Sequence, residues 1–223
     1  MPSRSSQSIH APSEELFAAH AAATLSNGQH LLLSCQADIE PEMAKKLADF
    51  DVIGGAIIES ARAEEMTNSF VDGLLAALDD VADDEDVAAP SAQAPEWMPS
   101  ALADYLREAD IELKWRNVGP GVQHAPITTA PSGERLYLLR AAPGTKMPVH
   151  SHAGEEWTLI LQGGYHVGDV GYVRGDLHCE DEVCEHQPLI DDHGEACISL
   201  VVDQGPLKFR NWLLKVAQKF TGI

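Results

Sequence analysis

The hydrophobic period changes once along this chain, and that change divides it. Met43, Leu47, Phe50, Ile53 and Ile57 recur at three- and four-residue steps, and Met66, Phe70, Leu74, Leu75 and Leu78 repeat the pattern. Each set is one apolar face of an α-helix. Past residue 110 the step falls to two in Ile111-Glu-Leu-Lys-Trp-Arg116, and in parts of Arg135-Leu-Tyr-Leu-Leu-Arg140 and Thr158-Leu-Ile-Leu161. Turn signals separate these runs at Gly119-Pro120-Gly121, Pro131-Ser-Gly133, Pro143-Gly144 and Gly163-Gly164. Between the two regimes, residues 81–98 mix acidic residues with Ala, Ser and Gln, carry Pro90 and Pro95, and show neither period. The chain therefore reads as multi-domain, α plus all-β: a small helical module over 1–80, a flexible linker over 81–98, and a β-sandwich, jelly roll or barrel over 99–223.

Local signals place the helix starts. Ser26 with Gln29 three residues on is a capping box at the head of a helix carrying Leu31, Leu32, Leu33 and Cys35. Pro41, beside Glu40 and Glu42, suits the first turn of the next helix, where a missing N–H costs nothing and acidic groups face the positive end of the helix dipole. A shorter helix is expected from Ser13 to before Thr24, with Leu16, Phe17 and His20, and another turn or two at Pro99–Arg107. About eighty residues make a small core, so the helical stripes bury one another, pack on the second half, or keep one face for a partner.

Charge narrows the partner. Net charge is -20, and through Pro95 there are 17 Asp and Glu against 4 Lys and Arg. Phosphate contacts require the opposite balance, so direct nucleic-acid binding is not expected, whereas a basic protein partner is suited. The polar start of the chain lacks a signal-peptide apolar core, and no window has the length of a membrane span. The four cysteines, Cys35, Cys179, Cys184 and Cys197, have no CxxC spacing, which fits a reducing compartment. A cytoplasmic protein is expected.

The chemistry-bearing residues gather in the second half, in His150-Ser-His152-Ala-Gly-Glu-Glu156-Trp and at His186. Two histidines two apart on an extended segment face the same way, and a carboxylate plus a third imidazole complete a three-nitrogen, one-oxygen shell for a divalent ion. Cys184, two residues before His186, points to the same side if that segment is a strand; its plainer reading is a small buried apolar residue.

Gly144-x5-His150-x-His152-x3-Glu156-x6-Gly163 resembles the first motif of the cupin superfamily. Gly175-Asp176, with His186 ten residues after Asp176, resembles the second, with Asp181 and Val183 where that motif has proline and glycine. The resemblance implies a cupin barrel with His150, His152, Glu156 and His186 as ligands of one Zn2+; iron, manganese and nickel suit the same donors. His178, three residues after Gly175, competes for the last place.

The likeness extends over nearly the whole chain. An acidic helical module with a Thr24-Leu25-Ser26 turn and Gly54-Gly55, an Ala-Pro linker, and a cupin with Glu156-Trp-Thr-Leu-Ile-Leu-Gln-Gly-Gly164 is similar to the ChrR-type anti-sigma factors. That resemblance implies a helical module that binds and inhibits a sigma factor of the extracytoplasmic-function (ECF) group, and a cupin needed for release under reactive-oxygen or singlet-oxygen stress. The helical module of the family also binds zinc, but Ala11, Gln36, Glu40 and Met43 stand at the ligand places, so no zinc is expected in this half. His30 and Cys35 lie near but do not share a helix face. The alternatives are a metal-dependent cupin enzyme such as a dioxygenase or isomerase, and a metal-dependent small-molecule sensor without a sigma partner.

Overall fold

A computed structural model describes residues 12–63, 66–79, 94–151, 154–180, 185–205 and 208–209. Helices come first: α1 (Glu14–Ala21), α2 (Asn27–Ile39), α3 (Pro41–Ser60), α4 (Asn68–Asp79) and α5 (Ser100–Glu108). The capping box at α2 is formed in both directions: Gln29 N–H donates to Ser26 Oγ at 3.1 Å and Ser26 N–H donates to Gln29 Oε1 at 3.3 Å. Pro41 opens α3, and Glu40 is at once the last cap of α2 and the first of α3, so the two helices meet at a single-residue elbow. Phe17, Met43 and Leu47 form a small core there, with Ala37 and Phe50 against it.

The strands that follow build three antiparallel sheets. Six of them, β1 (Arg116–Gly119), β2 (Val122–Thr129), β3 (Arg135–Ala141), β5 (Glu156–Gln162), β8 (Leu177–Glu180) and β10 (Cys197–Asp203), lie in the order β1-β2-β3-β10-β5-β8. A three-stranded sheet has the order β7-β6-β9, from β6 (Gly164–Val167), β7 (Val170–Val173) and β9 (Leu189–Ile190). The pair β4 (His150–Ser151) and β11 (Lys208–Phe209) completes it. Ile111, Leu113 and Trp115 alternate as expected and pack on the core, but among the described residues this stretch pairs with no strand, and the ladder begins at Arg116.

Both faces of the large sheet are covered. Leu136, Leu138, Trp157, Leu159, Leu161, Leu177, Ile198, Leu200 and Val202 share one cluster with Leu31, Leu32, Leu33 and Cys35 of α2 and Leu102 and Leu106 of α5. The intervening residues, Tyr137, Thr158, Ile160, His178, Ser199, Val201 and Asp203, point to the opposite face, because strand side chains alternate, and all are buried too. All of β10 is buried for this reason. Gly28 is what allows α2 so close: a Cβ there would lie 2.8 Å from Glu134 Oε1 and 3.1 Å from a methyl of Val202.

The helical module and the β-domain are thus joined by one core. Trp97 and Met98, which the sequence reading places at the end of the linker, pack against it, while residues 81–93 of that linker lie outside the described residues. Asp38 of α2 caps α5, accepting from Ser100 Oγ at 2.8 Å and from Ala101 N–H at 2.7 Å.

Candidate functional site

The sheet face turned away from the helices carries Glu156, Thr158, His178, Ser199 and Asp203, and the His186 ring lies 5.9 Å from that of His178. His150 and His186 form an isolated antiparallel bridge: His150 N–H donates to the His186 carbonyl at 3.1 Å and His186 N–H to the His150 carbonyl at 3.0 Å. Their rings meet edge to face, centroids 4.4 Å apart, and both residues are buried. The Pro148 carbonyl lies 2.7 Å from His150 Nδ1, so that nitrogen carries the proton and Nε2 the lone pair. This is the kind of outer contact that sets a ligand imidazole's tautomer. His152, the second ligand of the sequence motif, and Cys184 lie outside the described residues.

His178 shares the cluster in a different role. Its Nδ1 lies 2.7 Å from the Tyr165 hydroxyl and its Nε2 2.7 Å from Glu180 Oε1, so both ring nitrogens are engaged within the protein. Its ring also stacks on Tyr172 at 4.1 Å. Glu180 Oε1 reaches a second imidazole, 3.6 Å from His186 Nδ1. Glu180 is two residues beyond His178 on β8 and faces the same way. The motif reading overlooked it, although His178-x-Glu180 repeats the alternation that drew attention to His150-x-His152.

Glu156 begins β5, opposite Glu180 on β8. It belongs to a second polar group. Thr158 Oγ1 donates to its Oε1 at 3.3 Å, and the Tyr137 hydroxyl lies 3.5 Å from Oε2 and donates to Asp203 Oδ2 at 3.0 Å. Asp203 is fully buried and is held by a two-pronged contact from Arg135, Nε to Oδ1 at 2.9 Å and Nη2 to Oδ2 at 2.6 Å. His124 packs on Tyr137 with ring centroids 4.9 Å apart. Burial, followed by the neighbouring charge of Asp203, pushes the Glu156 carboxyl up to about 8. Burial lowers His150, so that ring is favoured in its neutral, ligand-competent form.

These donors fit a divalent cation in their chemistry: neutral imidazoles, and a buried carboxyl whose ionisation a positive charge would favour. Among the described residues no group of three His, Cys, Asp or Glu side chains is arranged to hold a metal ion. The described part of the motif is two imidazoles, His150 and His186, and one carboxyl, Glu156.

The helical half has another arrangement at the positions where zinc ligands were sought. Gln36 is buried, and its Nε2 donates to the Gly175 carbonyl of the β-domain at 2.9 Å. Glu40 lies against Gly175, and Met43 is in the small helical core. His30 stacks on His20 of α1 at 3.8 Å, whereas Cys35 faces the sheet, as expected of residues that do not share a helix face. Burial, then the charge of Asp38, pushes the Cys35 thiol up to about 12, and burial does the same for Cys197. Neither thiol is activated for redox chemistry.

The other notable surface is apolar. Beyond the buried Met43 and Leu47, α3 exposes Val52, Ile53, Ile57 and Ile58, with Ile58 at 76%. Across the next turn Met66, Phe70, Leu74 and Leu75 are each more than half exposed. A monomer rarely leaves so many large apolar side chains in water.

Comparison with known proteins agrees with both halves of this architecture. Residues 107–208 match the family described as the ChrR cupin-like domain. The chain is 31% identical over 215 residues to the anti-sigma-E factor ChrR of Cereibacter sphaeroides, covering 96% of this chain and 98% of that protein. The crystal structure of Rhodobacter sphaeroides SigE in complex with the anti-sigma ChrR contains a chain that superposes with a TM-score of 0.70 at 29% identity, over 87% of this chain and 98% of that one. With the helices and the cupin-like barrel matched together in one alignment, the chain belongs to the ChrR family of anti-sigma factors.

Proposed function

We propose that this protein is an anti-sigma factor that binds an ECF sigma factor through the apolar face of α3 and α4, and releases it under reactive-oxygen or singlet-oxygen stress through a metal-binding cupin domain. The observation that carries the first part is the run of exposed Val52, Ile53, Ile57, Ile58, Met66, Phe70, Leu74 and Leu75 on an acidic module. An apolar face gives affinity, and negative charge around it steers a partner whose DNA-binding surfaces are basic. Occlusion of those surfaces is how binding would inhibit transcription. No described helix is long and apolar enough to cross a membrane, so this face is not a membrane span.

His150, His152, Glu156 and His186 would hold the ion, Zn2+ by their chemistry, with His178 occupied by Tyr165 and Glu180 instead. A bound zinc would supply a closed, structural type of centre. The chain's own residues do the orienting: the Pro148 carbonyl fixes the His150 tautomer, and Thr158 and Tyr137 position Glu156.

Co-expression of the full chain with an ECF sigma factor from the same genome, followed by co-purification and titration calorimetry, tests the reading. A stable complex is expected, weakened more than tenfold by Ile57→Asp or Leu74→Asp without loss of fold, since a buried charge at such a face costs several kcal/mol. Elemental analysis should give one zinc per chain, lost on His150→Ala or His186→Ala. Absence of a complex would refute the partner, and absence of metal would refute the centre.

A further inference from the structure

The polar cluster in the barrel and the exposed helical face are on separate elements, and a contact at Gly175 links them. The turn between β7 and β8 carries Gly175 at φ +91°, a conformation that suits glycine. On one side this turn is tied into the barrel: Gly175 N–H donates to the Ile160 carbonyl at 2.9 Å, and Ile160 N–H to the Asp176 carbonyl at 3.1 Å. Asp176 closes it, its Oδ2 accepting from Val173 N–H at 2.8 Å. Two residues on, β8 turns His178 and Glu180 toward His186.

On its other side the turn is gripped by the helices. Gln36 donates to the Gly175 carbonyl from the last turn of α2. Glu40 crosses the Gly175 Cα so closely that a Cβ there would lie 2.4 Å from Glu40 Oε1 and 2.9 Å from its Cγ. Glu40 is the elbow between α2 and α3, and α3 runs from it to Val52, Ile53, Ile57 and Ile58. The hydrogen bond from Gln36 is buried and spans 139 residues of sequence. A shift of β8 therefore meets the elbow through this turn, beside the apolar interface of α2 that Leu177 of β8 also joins.

We propose that the Gly175 turn is a coupling joint through which the barrel cluster on β8 and the docking face on α3 and α4 report to each other, with Gln36 and Glu40 as the helical half of the joint. This rests on the reading that the α3/α4 face docks a sigma factor. Coupling of this kind is reciprocal, so partner binding at the helices must be felt in the barrel.

Hydrogen exchange of the full chain, alone and saturated with the sigma factor, reads that effect at residues 175–180. Exchange there is expected to change on binding by about fivefold or more, the lower end of ordinary coupling energies. In Gln36→Met, which keeps the volume and removes the donor, the sigma factor still binds but the change at 175–180 falls away. Glu40→Ala, which frees the Gly175 Cα, gives the same loss and guards against a packing artefact at Gln36. If the sigma factor binds and 175–180 do not respond, or respond equally in both variants, the joint is refuted while the docking face stands. If no sigma factor binds, the docking reading fails and the joint with it.

Discussion

Replacing Leu32 by Ala tests whether the helical module and the barrel are one folding unit. Leu32 is completely buried in the cluster that α2 shares with β3, β5, β8 and β10. The substitution removes three carbons, about 2.4 kcal/mol of transfer free energy at ~0.8 kcal/mol per methylene. A cavity forms as well, because the facing β10 is buried on both sides and has little room to collapse, so the full cost should approach the upper half of the ~2–5 kcal/mol range for buried Leu→Ala. The assay is thermal and urea unfolding of the full chain, followed by far-ultraviolet circular dichroism for the helices and by fluorescence of the tryptophans, which include the buried Trp157 of β5. One transition is expected by both probes, moved to lower stability by the same amount in the variant. Two transitions, with Leu32→Ala moving only the helical one, would show that α2 is a tethered module and that the shared core contributes nothing to the barrel.

Three further outcomes follow from individual contacts. Arg135→Met should cost about 3–5 kcal/mol, the usual consequence of leaving a fully buried carboxylate, here Asp203, without its guanidinium; a loss below 1 kcal/mol in urea unfolding would mean that Tyr137 alone satisfies Asp203. His124 is held down to about 4 by burial and then by the charges of Arg135 and Arg116, against 6.5 in the unfolded chain. The unfolded state takes up the proton first, so the stability from this residue is complete above pH 6.5 and is lost as pH falls toward 4, by at most about 3 kcal/mol in total, less whatever solvent screens. A His124→Gln variant should flatten that part of the pH–stability curve, and an unchanged slope would refute the assignment. Ser26→Ala should destabilise by about 1 kcal/mol by opening the capping box of α2, and Ser26→Thr should restore most of it, both measured by urea titration.

Cys35 and Cys197 are buried thiols raised to about 12, poor nucleophiles at neutral pH. β8, which carries His178 and Glu180, follows directly on the turn that the helices grip.

Much of the architecture was written locally. The change from a helical to a two-residue period separates the halves, the Ser26–Gln29 box and Pro41 place the starts of α2 and α3, and Gly144, His150, Glu156 and Gly163 carry the family likeness that the comparisons bear out. These signals depend on neighbours within a few residues, which is why one dimension suffices to read them. The Ile111–Trp115 alternation shows the limit: period two says that alternate side chains are buried, not that a ladder is present. Tertiary structure alone decided that α2 belongs to the barrel's core as much as to the helices, because Leu31, Leu32 and Leu33 fill a helical stripe equally well whichever surface they meet. It alone brought Arg135, Tyr137, Glu156 and Asp203 into one network, since strands far apart in sequence become neighbours only in the sheet. It also gave Gln36 and Glu40, which spacing could mark only as missing ligands, a partner 139 residues away for Gln36 and the same glycine for Glu40 to cover. Contacts of that range leave no periodicity in the chain, and the fold is the only place where they can be read.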